Sequence, residues 1–232
     1  MKLVFYFNKI KKTGVFINSE KSKIRKFSTE NKSLALLKNE YRGYNWYLRQ
    51  KRIQKKLFLS SPTRKSPFLD FSLIKGKEIL FSRLLSENYS YMEKVTDFYN
   101  EFWPKNKVTP SHGDLTFANL IFYKNKIEII DWENFTSKKQ WGYDICYFLI
   151  SSLTLPFIIR NKTSISNKEL ILFEKLWKNF FKDKDFNYSR DPIKFIQRTI
   201  KSEKLRNYSK FYLNKLTRYQ KSQIKEVTNK FQ

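Results

Sequence analysis

The stretch that decides the fold is Ser111-His112-Gly113-Asp114-Leu115-Thr116-Phe117-Ala118-Asn119, followed by an apolar segment ending at Ile130-Asp131-Trp132-Glu133. Between them, two apolar runs flank a polar Lys-Asn-Lys turn, a pattern that predicts a β-hairpin over residues 120–130. A hairpin brings its two ends together, so Asp131 is expected near Asn119 and Asp114. Two carboxylates and a carboxamide on rigid backbone predict a site for Mg²⁺ and the nucleotide that it accompanies.

The composition allows a sizeable core and favours polyanionic partners. The chain has 232 residues, 41% of them hydrophobic and 18% aromatic, and a formal net charge of +26. Such a charge favours nucleic acid, anionic lipid headgroups or phosphorylated glycans as partners. The same bias toward Lys, Asn, Ile and Phe also arises in an AT-rich genome, so the charge is either functional or compositional.

Scarce cysteine and histidine exclude several classes of protein. Cys146 and His112 are the only residues of their types, so neither a disulfide framework nor a cysteine zinc site is expected. A Ser-His-Asp hydrolase would depend on His112 alone, without a Gly-x-Ser-x-Gly elbow. The apolar run near the N-terminus is too short for a signal peptide. We therefore expect a cytoplasmic protein.

The N-terminal region predicts a small β-rich lobe with one helix. Short β-type runs cover residues 3–7, 15–18 and 23–27, and in the last of these Ile24, Lys26 and Ser28 share one face. Apolar residues at helical spacing predict an amphipathic helix over 33–50, in spite of Gly43. Residues 51–66 form a basic connection, and Phe68–Ile74 again resembles strand.

The rest of the chain predicts mostly helices. Helical patterns cover 86–103, 143–155, 167–182 and about 193–230. Pro156 is expected to disrupt the helix over 143–155. The run from Ile145 to Ile159 is shorter than a membrane span and indicates a buried helix rather than a membrane contact. The basic stretch from 201 to 230 predicts a helix packed on the lobe, or a surface for anionic lipid or RNA. The chain is therefore predicted to be α+β, with an N-lobe over 1–74 and a helical C-lobe over 75–232.

The spacing Asp114-Leu115-x-x-x-Asn119 reproduces the catalytic loop of protein kinases. Phosphoryl transfer needs a carboxylate that orients the acceptor hydroxyl and takes its proton, and an oxygen ligand for Mg²⁺ on the same loop. Asp131, at the end of the following strand, would supply a second, anionic ligand to the metal.

His-Gly-Asp-Leu-Thr-x-x-Asn, a strand, Ile-Asp-Trp-Glu and a later Tyr-Asp-Ile-x-Tyr-Phe-Leu together resemble the aminoglycoside phosphotransferase and choline kinase superfamily. The resemblance covers residues 111–149 and implies a two-lobed, protein-kinase-like fold. It implies that Asp114 is the catalytic base and that Asn119 and Asp131 bind Mg²⁺. His112 would brace the loop, and the buried Asp144 would be structural. Glu133 would support the metal ligands from behind, bind a second metal ion, or be a carboxylate at the start of a helix.

The resemblance also implies a lysine and a glutamate in the N-lobe that position ATP. Lys26 fits the lysine best, with Lys23 as its rival, and Glu40 fits its ion-pair partner. Residues 71–74 resemble the hinge, where backbone groups of Phe71 and Leu73 would bind adenine. The chain has no glycine-rich loop in this region, so backbone amides of residues 8–13 would contact the phosphates.

The sequence thus favours an ATP- and Mg²⁺-dependent kinase acting on a hydroxyl of a small molecule or glycoconjugate, of choline, ethanolamine or sugar type. Polycationic aminoglycosides suit a +26 protein poorly. A pseudokinase or binding scaffold of the same fold is the alternative. Peripheral contact with an anionic membrane surface is compatible with the charge, whereas nucleic acid is not expected, since no RNA-binding signature is present.

Overall fold

The computed structural model describes residues 3–9, 12–53, 58–59, 67–124, 126–182, 191–201 and 213–230. Contacts between residues divide the chain into two compact units. The first contains residues 1–77, 110–113 and 121–138, and the second contains 78–109, 114–120 and 139–232. By this grouping the hairpin and the loop of Asp131 belong with the N-terminal strands, although the sequence suggested a single boundary after residue 74.

An antiparallel five-stranded sheet forms most of the first unit. Its strands lie in the order β1-β2-β3-β5-β4, and they are β1 Leu3–Asn8, β2 Thr13–Asn18, β3 Lys23–Ser28, β4 Phe58–Leu59 and β5 Phe68–Ser72. The pairing of Val15 with Lys26 fixes the register of β2 and β3. Because side chains alternate along a strand, Lys26 and Val15 share the inner face of the sheet, while Phe16 and Phe27 share the outer face.

Helix α1, Asn31–Gln50, belongs to the first unit and buries its apolar stripe there. Its side chains Leu37, Tyr44, Tyr47 and Leu48 are buried. Tyr47 donates its hydroxyl proton to the Ile127 carbonyl oxygen at 3.2 Å, which ties the helix to the hairpin. The hairpin has the predicted form, with β8 Leu120–Tyr123 and β9 Lys126–Ile129, and β6 Lys77–Glu78 completes a three-stranded sheet in the order β6-β8-β9.

The second unit is mostly helical. Its helices are α2 Leu85–Phe102, α3 Tyr143–Ile159, α4 Asn167–Phe181, α5 Pro192–Lys201 and α6 Arg218–Asn229. Strands β7 Val108–Ser111 and β10 Thr136–Gln140 pair with each other. Helix α3 is buried along almost its whole length and packs against α2, α4 and α5. Within the described residues, no helix combines the length and the apolar character that crossing a bilayer requires.

Two helix predictions were wrong. Pro156 does not disrupt α3, which continues to Ile159, because burial of its apolar side chains offsets the hydrogen bond that a proline cannot donate. The chain is not one helix from 193 to 230, since Thr217 has extended backbone and caps α6 by accepting a hydrogen bond from the Gln220 amide. The apolar register predicted at Leu205, Tyr208 and Tyr212 lies outside the described residues.

Candidate functional site

A lysine and two carboxylates meet in the first unit. The Nζ atom of Lys26, on β3, lies 3.1 Å from Oε2 of Glu40 on α1 and 2.6 Å from Oδ1 of Asp131, which follows β9. Lys23, the rival lysine, is exposed and lies one residue out of this register. The structure therefore brings together three residues that lie far apart in the sequence.

Burial makes this cluster electrostatically unusual. Burial lowers the pKa of Lys26, but the charges of Asp131, Glu40 and Glu133 outweigh it and raise that pKa above its ordinary value. Burial also raises the pKa of Glu40 to about 8, although the Lys26 ammonium opposes the change, and Asp131 and Glu133 add to it. The ammonium therefore stays charged, while Glu40 is costly to ionise in the folded protein.

The cluster borders a cleft of about 180 Å³. Strand residues on its wall are Tyr6, Asn8, Thr13, Val15 and Lys26. The helix and the loop after β9 contribute Leu36, Leu37, Glu40, Asp131 and Glu133. The lining therefore combines apolar side chains with a cluster of charged groups, as small-molecule sites commonly do.

A rigid loop presents Asp131. His112 Nε2 lies 2.9 Å from the carbonyl oxygen of Ile130, to which it donates because a carbonyl only accepts. The His112 ring packs edge-on against Trp132, which is fully buried and donates its indole N–H to Ile129. Asp131 itself has left-handed backbone angles, φ 61° and ψ 59°. The predicted bracing by His112 is therefore visible as a direct hydrogen bond to the residue before Asp131.

Two glycines allow close approach of neighbouring segments to this loop. A Cβ at Gly43 would lie 2.7 Å from Cβ of Trp132 and 2.8 Å from Cβ of Phe135, so α1 lies directly against the loop. A Cβ at Gly113, which has φ +86°, would lie 2.3 Å from the Asn134 carbonyl oxygen. Glycine at these positions lets Glu40, one helical turn before Gly43, approach the segment that carries Asp131.

Asp114 and Asn119 belong to the second unit. The Asn119 carboxamide nitrogen donates to the Asp114 backbone carbonyl at 2.7 Å, and the Asn119 side chain is buried. Since that bond uses the nitrogen, the carboxamide oxygen is the end that can ligate a cation. The convergence of Asp114 and Asn119 with Lys26, Glu40 and Asp131 on one substrate stays a prediction.

The hinge residues do not line the cleft. Phe71 packs its ring edge-on against Tyr44, with centroids 5.4 Å apart. The backbone N–H of Leu73 donates to the Ser22 carbonyl at 2.8 Å, which extends the pairing of β5 with β3. Adenine could accept a hydrogen bond from Leu73 only if this bond broke, so a donor role for Leu73 is disfavoured, and a role for either residue stays a prediction.

Backbone amides of residues 8–13 were expected to contact the phosphates, whereas the side chains of Tyr6, Asn8 and Thr13 on the cleft wall were not predicted. Strand alternation was the signal that could have identified them, because they share the face of Lys26.

Among the described residues, no group of three or more His, Cys, Asp or Glu side chains is placed to hold a metal ion alone. A magnesium ion that takes its other ligands from phosphate and water does not need such a group.

Comparison with known proteins places the fold. No protein-family model matches the sequence, and no curated protein sequence matches it significantly. Solved structures do match. An amicoumacin kinase, solved in complex with AMP-PNP, Ca²⁺ and Ami, is 13% identical over 98% of this chain and 88% of its own, with a TM-score of 0.52.

Two further structures give a similar result. A Ralstonia eutropha JMP134 protein provisionally named an aminoglycoside phosphotransferase is 11% identical, with 100% and 94% of the two chains covered and a TM-score of 0.51. A microcompartment-associated aminopropanol kinase is 9% identical, with 99% and 92% covered and a TM-score of 0.51.

These likenesses define the fold: the protein has a kinase-like α+β fold, as the sequence predicted. The particular neighbours named above are, by their names, small-molecule phosphotransferases.

Proposed function

We propose that this protein is an ATP- and Mg²⁺-dependent phosphotransferase that phosphorylates a hydroxyl group of a small molecule or glycoconjugate. The observation that carries the proposal is the assembly of Lys26, Glu40 and Asp131 at the cleft. An ion pair between a strand lysine and a helix glutamate, beside the carboxylate of a metal loop, is the arrangement that kinases use to hold nucleotide phosphates. The kinase-like fold of the matched structures supports the same conclusion.

The charges in the cleft suit a divalent cation. Glu40, Asp131 and Glu133 bring three carboxyl groups to a cleft in which, among the residues that the structure describes, Lys26 is the one basic lining residue. A polyphosphate would add more negative charge, so its binding there needs a cation besides Lys26. The carboxylate and carboxamide oxygens of Asp131 and Asn119 are the hard ligands that Mg²⁺ prefers. The residues present therefore fit Mg·ATP.

Each candidate site residue has a separate role in this proposal. Lys26, held by Glu40, would contact the α- and β-phosphates. Asn119 and Asp131 would hold Mg²⁺. When bound, Mg·ATP supplies the phosphoryl group and neutralises the charge that develops during transfer. Asp114 would orient the acceptor hydroxyl and accept its proton, and the hydrogen bond from Asn119 to the Asp114 carbonyl fixes the loop for this task.

The acceptor would be neutral, anionic or singly cationic rather than polycationic. A net charge of +26 disfavours polycationic antibiotics, although local acidic walls can overcome it. Sugars or anionic glycoconjugates suit the protein better than aminoglycosides, and choline or ethanolamine can bind through aromatic faces.

Purified protein incubated with ATP, Mg²⁺ and pools of sugars, amino alcohols and glycoconjugates should release ADP with at least one pool. Asp114→Asn should reduce that turnover by about 10²–10⁴-fold, because it removes the base while keeping the shape of the side chain. Asp97→Asn, at an exposed acid on α2, is the matched control and should leave turnover unchanged. Full turnover by Asp114→Asn would contradict the proposed role of Asp114.

A nucleotide-free binding scaffold of the same fold is the second candidate, and the size of the cleft favours it. At about 180 Å³, the cleft is smaller than the roughly 300–1,000 Å³ of typical small-molecule sites. Thermal unfolding with and without Mg·ATP distinguishes the two candidates. A phosphotransferase should gain about 2.7 kcal/mol of unfolding free energy at a nucleotide concentration of about 100 Kd. An unchanged melting temperature at millimolar Mg·ATP would favour the scaffold.

A further inference from the structure

The outer face of the N-terminal sheet carries a cluster of phenylalanines. Phe5 and Phe7 on β1, Phe16 on β2 and Phe27 on β3 alternate with the residues that line the cleft, so they lie on the opposite face of the same strands. Ring centroids are 4.7 Å apart for Phe5 and Phe16, and 5.5 Å apart for Phe16 and Phe27. Phe7 lies 6.4 Å from Phe27, so the four rings form one continuous apolar surface.

These rings face solvent rather than the core. Phe5 is 51% exposed, Phe7 39% and Phe16 37%, and β1 is the edge strand of the sheet. The Phe27 ring lies over Gly14, where a Cβ would come within 2.1 Å of it. Exposed phenylalanines of this number are costly in water, and contiguous exposed apolar patches commonly mark contact surfaces.

Basic residues border the same face. Lys23 shares the outer face of β3 with Phe27, and Lys9 and Lys21 lie in the turns at the two ends of the strands. All three lysines are exposed. Residues 1–30 contain eight Lys or Arg against two Glu, and the whole chain carries +26. We define the outer aromatic face as Phe5, Phe7, Phe16 and Phe27 together with Lys9, Lys21 and Lys23.

We propose that the outer aromatic face docks this protein on anionic lipid bilayers. Aromatic rings partition into the interfacial region of a bilayer, and lysines beside them are attracted by anionic headgroups. A binding surface for lipid needs apolar area and positive charge but no precisely placed hydrogen-bonding groups. The outer aromatic face has these properties, and it lies on the back of the strands that line the cleft, so docking would leave the cleft wall uncovered.

The charge disfavours a second copy of the chain as the occupant, because two +26 proteins repel each other and each would present the same lysines. Single-stranded nucleic acid is also less suited. Stacking of bases needs separate ring faces, and here the rings pack against one another with interplanar angles of 11° to 36°. The one arginine on this face, Arg25, is held by Asp70 through two hydrogen bonds of 2.6 and 2.7 Å and stacks on Phe68.

Co-sedimentation with vesicles tests the proposal on the full chain. The protein should pellet with phosphatidylcholine vesicles that contain about 30% phosphatidylglycerol and stay in solution with phosphatidylcholine alone. Phe5→Ser/Phe16→Ser should weaken binding by about tenfold or more. Ile171→Ser/Tyr219→Ser is the matched control, since it removes two exposed apolar side chains elsewhere (66% and 61% exposed) and should bind normally.

A second set of variants keeps the test independent of the phenylalanines. Lys9→Glu/Lys21→Glu/Lys23→Glu leaves the rings in place and should weaken binding by about a hundredfold or more. Lys162→Glu/Lys168→Glu/Lys225→Glu changes the net charge equally at exposed sites in the second unit and should weaken it much less. Circular dichroism melts establish that each variant is folded.

Three results would overturn the proposal. The first is no sedimentation of the wild-type protein with anionic vesicles, and the second is equal loss of binding in the two lysine triples. The third is self-association, or binding to oligouridine, that depends on Phe5 and Phe16 while vesicle binding does not. That result would assign the face to a second copy or to RNA.

Discussion

Replacing Glu40 by glutamine should make the protein more stable at mildly alkaline pH, even though it removes one partner of an ion pair. Glu40 is 2% exposed and its Oε2 lies 3.1 Å from Lys26. Desolvating a carboxylate costs several kcal/mol, and one lysine that is also 2.6 Å from Asp131 offsets that cost only in part. Glutamine keeps the size of the side chain and an oxygen that accepts from Lys26, without the buried charge.

The sign and the pH range follow from the pKa of Glu40. In the folded protein this pKa is about 8, against an ordinary value of 4.5, so folding favours the protonated carboxyl. The associated stabilisation is complete below the unfolded pKa and is lost as the pH rises toward 8. We therefore expect the unfolding free energy of Glu40→Gln to equal that of the wild type at about pH 4.5 and to exceed it by about 1–2 kcal/mol at about pH 8.

Urea unfolding at several pH values between these limits measures the effect. Asp70→Asn is the matched control, because its ion pair with Arg25 lies on the same sheet but is half-exposed and should be worth less than about 1 kcal/mol. Glu40→Gln should also lower the affinity for Mg·ATP at pH values above about 8, where Glu40 is ionised and its charge holds Lys26 in place. A variant that is less stable than wild type at about pH 8 would refute the electrostatic argument.

Three further predictions concern backbone and capping. Gly43→Ala should lower the unfolding free energy measured in urea by about 1–2 kcal/mol, because the clash with Phe135 outweighs the roughly 1 kcal/mol that alanine adds to a helix. A gain in stability would contradict this close approach. Gly113→Ala should lower the melting temperature and abolish turnover, because its positive φ and the Asn134 carbonyl exclude a Cβ; normal activity would show that the loop can relax. Thr217→Ala should lower the unfolding free energy by about 1 kcal/mol and leave turnover unchanged, since it removes only the cap of α6. A loss of turnover without loss of stability would indicate a functional role for Thr217.

Local patterns predicted much of the fold. Period-two alternation identified β3 and placed Lys26 on its inner face, and helical spacing placed Glu40 on α1. Their pairing was implied by the family resemblance rather than by these patterns, and the structure places Lys26 Nζ 3.1 Å from Glu40 Oε2. The hairpin after Asn119 was predictable for the same reason, because its turn and its strands are contiguous in the sequence.

Contacts between distant segments were not predictable from the residues alone. Nothing near Asp131 in the sequence indicates that it would lie 2.6 Å from Lys26, because that distance depends on how the loop packs against α1. Gly43 looked like a weakness in a helix, yet its missing Cβ permits that packing. Pro156 is likewise tolerated because of the helices around α3, which a local propensity does not include.

The left-handed backbone of Asp131 restricts which residues can replace it. Aspartate and asparagine enter this region at little cost, because their short polar side chains hydrogen-bond locally, whereas alanine pays about 1–2 kcal/mol. An alanine variant would therefore confound loss of the proposed metal ligand with a displaced loop, and asparagine is the informative substitution. The same restriction limits which substitutions evolution tolerates at this position. A lineage that lost catalysis would be expected to retain Asp, Asn or Gly here for conformational reasons alone.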